Sequence, residues 1–294
     1  MARTQSRKLA TIGATTLAAA ALAVAGCATD TALAAPASVA RPAATVATSA
    51  ASATAATAAV TAPAAYTAPA RTLAPGMKGS DVKAFQQRLA ALKYYPGTID
   101  GQFGSNTQAA LWAFQEVNGV RVTGVVDAAT KKALVHPKGY TSPYYRGKRA
   151  TRIEVNQALE VLVYYVNNKI VLISHVSSGG GYYYNCGSNG CSRAVTPNGT
   201  YNTTYYMPGW VQVPLGEMYN PVFFIGTAYA IHGMPNPTST FSGDGVPLNP
   251  ASHGCVRIPL DISVFFHRLV RVGGAHSTPI FVNGPNYKGK GAFQ

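Results

Sequence analysis

The sequence predicts a multidomain chain, in which a small all-α unit of three helices precedes a mostly β domain that is sandwich-like with one or two helices. Two observations carry this. Apolar residues recur at one-face helical spacing between positions 71 and 138, and from Thr151 onward they gather in short β-branched runs bounded by Gly, Pro and Asn. A third observation says where no core can form: residues 28–70 are almost entirely Ala, Thr, Pro, Ser and Val. Such a stretch has too few large apolar side chains to offset the entropy of ordering, and it reads as a disordered, semi-extended tether.

Residues 1–27 carry Arg3, Arg7 and Lys8, then an Ala-rich apolar run from Leu9 to Ala25, then Gly26-Cys27. That is the layout of a secretory signal, too short and too rich in Ala for a membrane span. Val24-Ala25-Gly26-Cys27 resembles a bacterial lipobox, which implies a lipid on Cys27 and a membrane anchor. Ordinary cleavage after Ala32-Leu33-Ala34 is the alternative. Arg7-Lys8 is not a twin arginine.

In the segment 71–138, Val82, Phe85, Leu89 and Leu92 fall on one helical face behind Ser80 as N-cap. Ala110, Leu111, Phe114 and Val117 do so after Ser105, and a third helix is expected from Asp127 to Leu134. Gly101, Phe103, Thr107, Ala110 and Leu111 are echoed 23 residues later by Gly124, Val126, Thr130, Ala133 and Leu134. Each copy reads as a Gly turn leading into a helix.

Residues 139–150 read as a short linker, and residues 151–283 as the β domain, with 284–294 left as a tail. Val161–Val166 and Ile170–Val176 flank Asn167-Asn168, a pair that tolerates the positive φ of a hairpin turn. Pro197-Asn198-Gly199 is a second turn, Val222–Ile225 and Ala228–Ile231 are two further strands, and Pro279–Val282 closes the set. Leu260–Val270 is the helix of this half.

Chemistry concentrates in Ser252-His253-Gly254-Cys255-Val256-Arg257-Ile258, which sets a thiol on a short turn entering a strand. Ile231-His232-Gly233 ends an apolar run and offers a base. A thiol needs such a base, and amide donors for the oxyanion it generates, to act on a carbonyl; the amides around Gly254 and Cys255 are the candidates. The blander readings are a buried small hydrophobe beside a hydrogen-bonded His, or a zinc site of His232, His253 and Cys255. No fourth ligand stands at matching spacing, so no metal is expected. Cys186 and Cys191 lie in a loop rich in Tyr, Gly and Asn; they suit a small disulfide, two free thiols or a metal loop. An unpaired Cys255 in an exported chain invites oxidation unless chemistry needs it.

The formal charge is +14, and it is spread along the chain with no basic cluster. Nucleic-acid binders concentrate Lys and Arg on one element, and export removes the chain from nucleic acid; an anionic polymer outside the cell is the better partner.

Two resemblances sharpen this. The run from Gly76 to Thr130 resembles the three-helix peptidoglycan-binding domain attached to many cell-wall enzymes, over nearly all of 73–135. It implies a groove near the Asp100-Gly101 turn and Gln115; a helical spacer is the alternative. Residues 151–283 resemble the L,D-transpeptidase catalytic domain, through "IHG" at 231–233, "SHGCVRI" at 252–258, "TPNG" at 196–199 and "NPVFFI" at 220–225. The resemblance implies Cys255 as nucleophile, His232 as general base and the Gly233 carbonyl as the group orienting that imidazole. It places His253 and Gly254 in the oxyanion hole and its support, Ser252 in a hydrogen bond within the turn, and Arg257 bracing the turn or holding a substrate carboxylate.

The implied reaction needs no cofactor: acyl transfer through a thioester, from a tetrapeptide stem losing D-Ala to an amine of a neighbouring stem. An L,D-carboxypeptidase with water as acceptor, and a non-catalytic wall-binding lipoprotein, are the alternatives. Between His232 and Ser252 lie 19 residues, more than the family pattern, and Gly243-Asp244-Gly245 suggests a flap there.

Overall fold

The computed structural model describes residues 66–143, 149–188, 190–234 and 246–285. The expected signal, lipobox and flap, the tether up to residue 65 and the tail from residue 286 (Cys27 and Gly243–Gly245 among them) lie outside the described residues.

Three helices come first: α1 (Ser80–Ala91), α2 (Ser105–Asn118) and α3 (Ala128–Val135). Ser80 and Ser105 are the first helical residues and not the caps; Gly79 and Gly104 hold those positions without a side-chain cap. Gly79 stands at φ 147°, open only to a residue without Cβ. Asp127 does cap α3, accepting the Thr130 N–H at 2.8 Å.

The internal echo has a physical basis in two buried glutamines. Gln86 takes the Gly101 N–H at 2.8 Å and gives its amide to Thr107 Oγ1 at 3.1 Å. Gln115 takes the Gly124 N–H at 3.1 Å and gives its amide to Thr130 Oγ1 at 3.0 Å. Each glutamine ties a Gly turn to the helix that follows it. Gln115 is 0% exposed, so it shapes the unit from inside and does not line a groove.

The β domain contains β1 (Arg152–Asn156), β2 (Val161–Val166), β3 (Lys169–His175), β4 (Tyr183–Gly187), β5 (Gly190–Arg193) and β6 (Gly199–Asn202). After these come β7 (Trp210–Val213), β8 (Gly216–Ile225), β9 (Tyr229–Met234), β10 (Val256–Pro259), α4 (Leu260–Leu269) and β11 (Pro279–Asn283). One sheet runs β3-β2-β1-β11-β6 and a second β10-β9-β8-β7, while β4 and β5 form a separate hairpin. The β2–β3 turn is the expected one, with Asn167 and Asn168 at φ 50° and 62°. The two sheets and α4 enclose a core that includes Ile153, Leu162, Val222, Ile231, Ile258 and Phe266. Burying each such side chain contributes about 1.5–3 kcal/mol.

Strand β2 is buried on both faces. Leu162 and Tyr164 point into the core between the sheets, whereas Val161, Val163 and Tyr165 join Phe85, Leu89 and Phe114 in the core of the helical unit. This is why Val161–Val166 reads as a continuous apolar run and does not alternate. Trp112 of α2 sets its ring edge-on to His175 of β3, centroids 5.3 Å apart, and Asn106 of α2 donates to Asp261 of α4 at 2.5 Å. Helices and sheet therefore share a core, and Tyr140, in the connecting segment, is buried in it.

Candidate active site

Strands β9 and β10 pair in parallel, with Ile231 opposite Val256 and His232 opposite Arg257. Side chains alternate along a strand, so Ile231, Val256 and Ile258 enter the core while His232, Cys255 and Arg257 share the other face. His232 is the fourth residue of a six-residue strand and not its end, because β9 continues to Met234 to pair with Pro259. Cys255 sits immediately before β10, half-buried, its thiol facing the Ala228 carbonyl at 3.8 Å. Both side chains open onto a cavity of about 460 Å³. Its walls also include His253 and Ser252 of the turn, Tyr184 of β4, Tyr229 of β9, and the β7–β8 hairpin from Val213 to Met218.

The turn before Cys255 is held from several sides. The Ser252 hydroxyl donates to the Cys255 carbonyl at 2.5 Å and accepts the Gly254 N–H at 2.9 Å. Thr196, from the "TPNG" turn, donates to the Gly254 carbonyl at 2.7 Å and accepts the Gly179 N–H at 2.9 Å. Both peptide groups of Gly254 are thus engaged in the turn itself, and its amide supports the loop in place of pointing at a substrate. Arg257 exchanges backbone hydrogen bonds with Ser177 at 3.0 and 3.1 Å. His253 lies between the edges of Tyr182 and Tyr184, at 5.4 and 4.7 Å. Cys186 and Cys191 are joined as a disulfide across the β4–β5 hairpin, beside the cavity wall.

The electrostatics set a neutral resting pair. Burial, reinforced by the Arg257 charge, holds His232 down at about 3, against the pull of the Gly233 carbonyl 3.3 Å from Nδ1. Burial pushes the Cys255 thiol up, opposed by the Ala230 N–H and the Arg257 charge. Burial and then Arg257 also lower His253. Among the described residues no group of three or more His, Cys, Asp or Glu is placed to hold a metal ion, and no helix is long and apolar enough to cross a membrane.

Comparison with known proteins bears on this arrangement directly. Residues 150–282 match the family model for the L,D-transpeptidase catalytic domain, and residues 78–134 that for a peptidoglycan binding domain. The crystal structure of the L,D-transpeptidase (residues 123–326) from Xylanimonas cellulosilytica is 30% identical, with a TM-score of 0.61, over 73% of this chain and 99% of that one. The chain belongs to the L,D-transpeptidase family. An L,D-transpeptidase from Stackebrandtia nassauensis aligns over 74% of this chain and 97% of that one, at 17% identity and a TM-score of 0.42. The spore cortex-lytic enzyme of Oceanobacillus iheyensis is 41% identical over 69 residues, 24% of this chain and 25% of that protein. The chain thus spans about a quarter of the length of the curated relatives it matches.

Within this member of the family, sequence reasoning quoted Thr196 without seeing its work, and it missed Ser178, Tyr229 and the β7–β8 hairpin. Thr196 and Ser178 meet the turn from segments far away in the chain, so no local spacing marks them. Tyr229 had a signal: it stands two residues before Ile231 in the same strand.

The titrations make a pH prediction. His232 at about 3 and His175 at about 4 stay neutral in the fold where the unfolded chain gains protons, so they cost stability as pH falls from about 6.5. Glu116 and Glu160, raised to about 7 and about 8 chiefly by burial, keep protons that the unfolded chain loses above about 4.5. Their contribution therefore falls as pH rises through 7 and 8. The two pairs offset each other between about pH 4.5 and 6.5. Urea midpoints measured across pH should show a plateau there and fall on both sides; a midpoint still rising from pH 6.5 to 8 would contradict these assignments.

Proposed function

We propose that this protein is an L,D-transpeptidase that crosslinks peptidoglycan stems through a thioester on Cys255. The observation that carries the reading is the placement of His232 on β9 and of Cys255 immediately before its parallel neighbour β10, both opening onto a cavity large enough for a stem peptide. An Nδ1–H donated by His232 to the Gly233 carbonyl leaves Nε2 as the base. His232 takes the thiol proton as sulfur attacks the carbonyl at the L-centre of the diamino acid. The tetrahedral oxyanion faces the Cys255 amide at the start of β10, within the field of Arg257. Collapse breaks the amide bond, and His232 returns the proton to the departing D-Ala amine. An amine of a second stem, deprotonated by His232, then attacks the thioester; the new amide forms and the thiolate regains its proton.

His253, on the cavity rim beside Tyr184, frames the donor stem in this reading, and Ser252 and Gly254 keep the turn in shape. A site acting on peptidoglycan places the protein outside the cytoplasm, and the Gly26-Cys27 junction supplies a lipid anchor facing the wall. Two measurements test the reading: intact mass of the protein after incubation with a carbapenem, and product analysis with disaccharide tetrapeptide. A Cys255 adduct together with crosslinked dimer is expected. Adduct with tripeptide alone makes it an L,D-carboxypeptidase, and neither adduct nor product leaves a wall-binding protein.

A further inference from the structure

The turn Gln157–Glu160 between β1 and β2 ends on a glutamate that makes no ion pair among the described residues. Glu160 is 5% exposed and its backbone stands at φ 44°. Among the described residues the ion pairs are Arg71–Asp81 and Arg152–Glu154, neither of which includes it. The charged neighbour that acts on it is Glu116 of α2, which repels. A buried carboxyl without a cation is costly, so the groups it binds matter. Its Oε2 takes the Ser178 N–H at 2.7 Å, and its Oε1 shares a hydrogen bond with the Ser178 hydroxyl at 2.6 Å. The Ser178 carbonyl in turn accepts the Ser252 N–H at 2.9 Å, and the Ser252 hydroxyl holds the Cys255 carbonyl and the Gly254 amide. An unbroken chain of hydrogen bonds runs from the interface with the helical unit to the thiol-bearing residue.

We propose that Glu160 is a positioning residue for the reaction, setting the Ser252–Cys255 turn through Ser178. This rests on the transpeptidase reading for its kinetic consequence, but not for its effect on the thiol. The side chains around the chain of bonds reinforce it: His175 donates from Nε2 to the Pro247 carbonyl at 2.9 Å, and Ser177 binds Asn249 and Ala251. The segment leading into Ser252 is therefore anchored, at Pro247, Asn249 and Ala251, on His175 and Ser177. Burial keeps the carboxyl protonated at neutral pH, raised to about 8, so a neutral amide is a fair substitute.

The test compares Glu160→Asp and Glu160→Gln in the full chain. The readouts are tetrapeptide turnover and the iodoacetamide alkylation rate of Cys255, mapped by peptide mass. Asp is one methylene short of Ser178, and a misplacement of this size is expected to lower kcat about tenfold with KM within about twofold. Alkylation at pH 7 should slow by a similar factor, and Gln should restore both rates. A folded Asp variant with wild-type kcat and alkylation, or a Gln variant as impaired as Asp, overturns the proposal. If Asp does not fold, Ser178→Ala decides: about a threefold or larger loss of kcat at unchanged KM supports positioning, and wild-type rates refute it. Wild-type protein that alkylates but never turns over tetrapeptide sinks the transpeptidase reading alone, and the alkylation comparison still decides the role of Glu160.

Discussion

Cys255→Ala is expected to lower tetrapeptide turnover by about 10⁴-fold or more while leaving tetrapeptide binding in place. In the proposed reaction the Cys255 thiol carries the acyl group, and removing it takes away the intermediate and not the pocket. His232→Gln should cost less, about 10²–10⁴-fold. With the thiol pushed up by burial and His232 neutral, no thiolate stands ready at pH 7, and the proton must move during attack. Gln accepts no proton, so alkylation of Cys255 in that variant should rise only as the solution becomes strongly alkaline. Calorimetric titration with tetrapeptide separates binding from chemistry in both variants. Wild-type turnover in His232→Gln would reassign the base, with His253 on the cavity rim as the next candidate.

Gly254→Ala is expected to destabilise the fold by about 2–5 kcal/mol and to reduce turnover about a hundredfold. Gly254 stands at φ 141°, and a Cβ there would lie 2.6 Å from Tyr229 Cε1 and 2.8 Å from the Val195 carbonyl oxygen. The ring of Tyr229 could give way, but the Val195 oxygen is backbone, and the adjoining Thr196 ties that segment to the same turn. Relief of the clash must therefore come from the turn that carries Cys255. Gly139→Ala is the control, since nothing lies within 4 Å of its added Cβ and a change within about 0.5 kcal/mol is expected. Urea unfolding and steady-state rates on the two variants check both numbers; equal stability of Gly254→Ala and wild type would mean the turn is looser than its hydrogen bonds imply.

What could be read from the chain and what could not divide along a physical line. The β2–β3 hairpin was legible because Asn167-Asn168 carries its own backbone preference, and α4 because its apolar residues recur at helical spacing. His232 and Cys255 were legible because their chemistry is sparse and their motifs short. The caps at Gly79 and Gly104 were misread because Ser is the stronger local signal, and here the Gly turns that the buried glutamines hold take precedence. Gln115 was placed near a groove by the resemblance alone; its partners, Gly124 and Thr130, come from a later turn and bury it. The bracing of Gly254 by Thr196 and of Ser252 by Ser178 spans 58 and 74 positions, and pattern does not reach that far.

The two-sided burial of β2 leaves no elbow between the helical unit and the β domain. A tethered binding unit on a free joint would let the cleft sweep an arc around whatever the helices hold. Here Val161, Val163 and Tyr165 are wedged among helical side chains, so the helices and the cleft move as one piece. Anything gripped near the Asp100 turn is presented at a constant offset and angle from Cys255, in the manner of a ruler. Aim then belongs to the folded part, through the strand that its helices and sheets share.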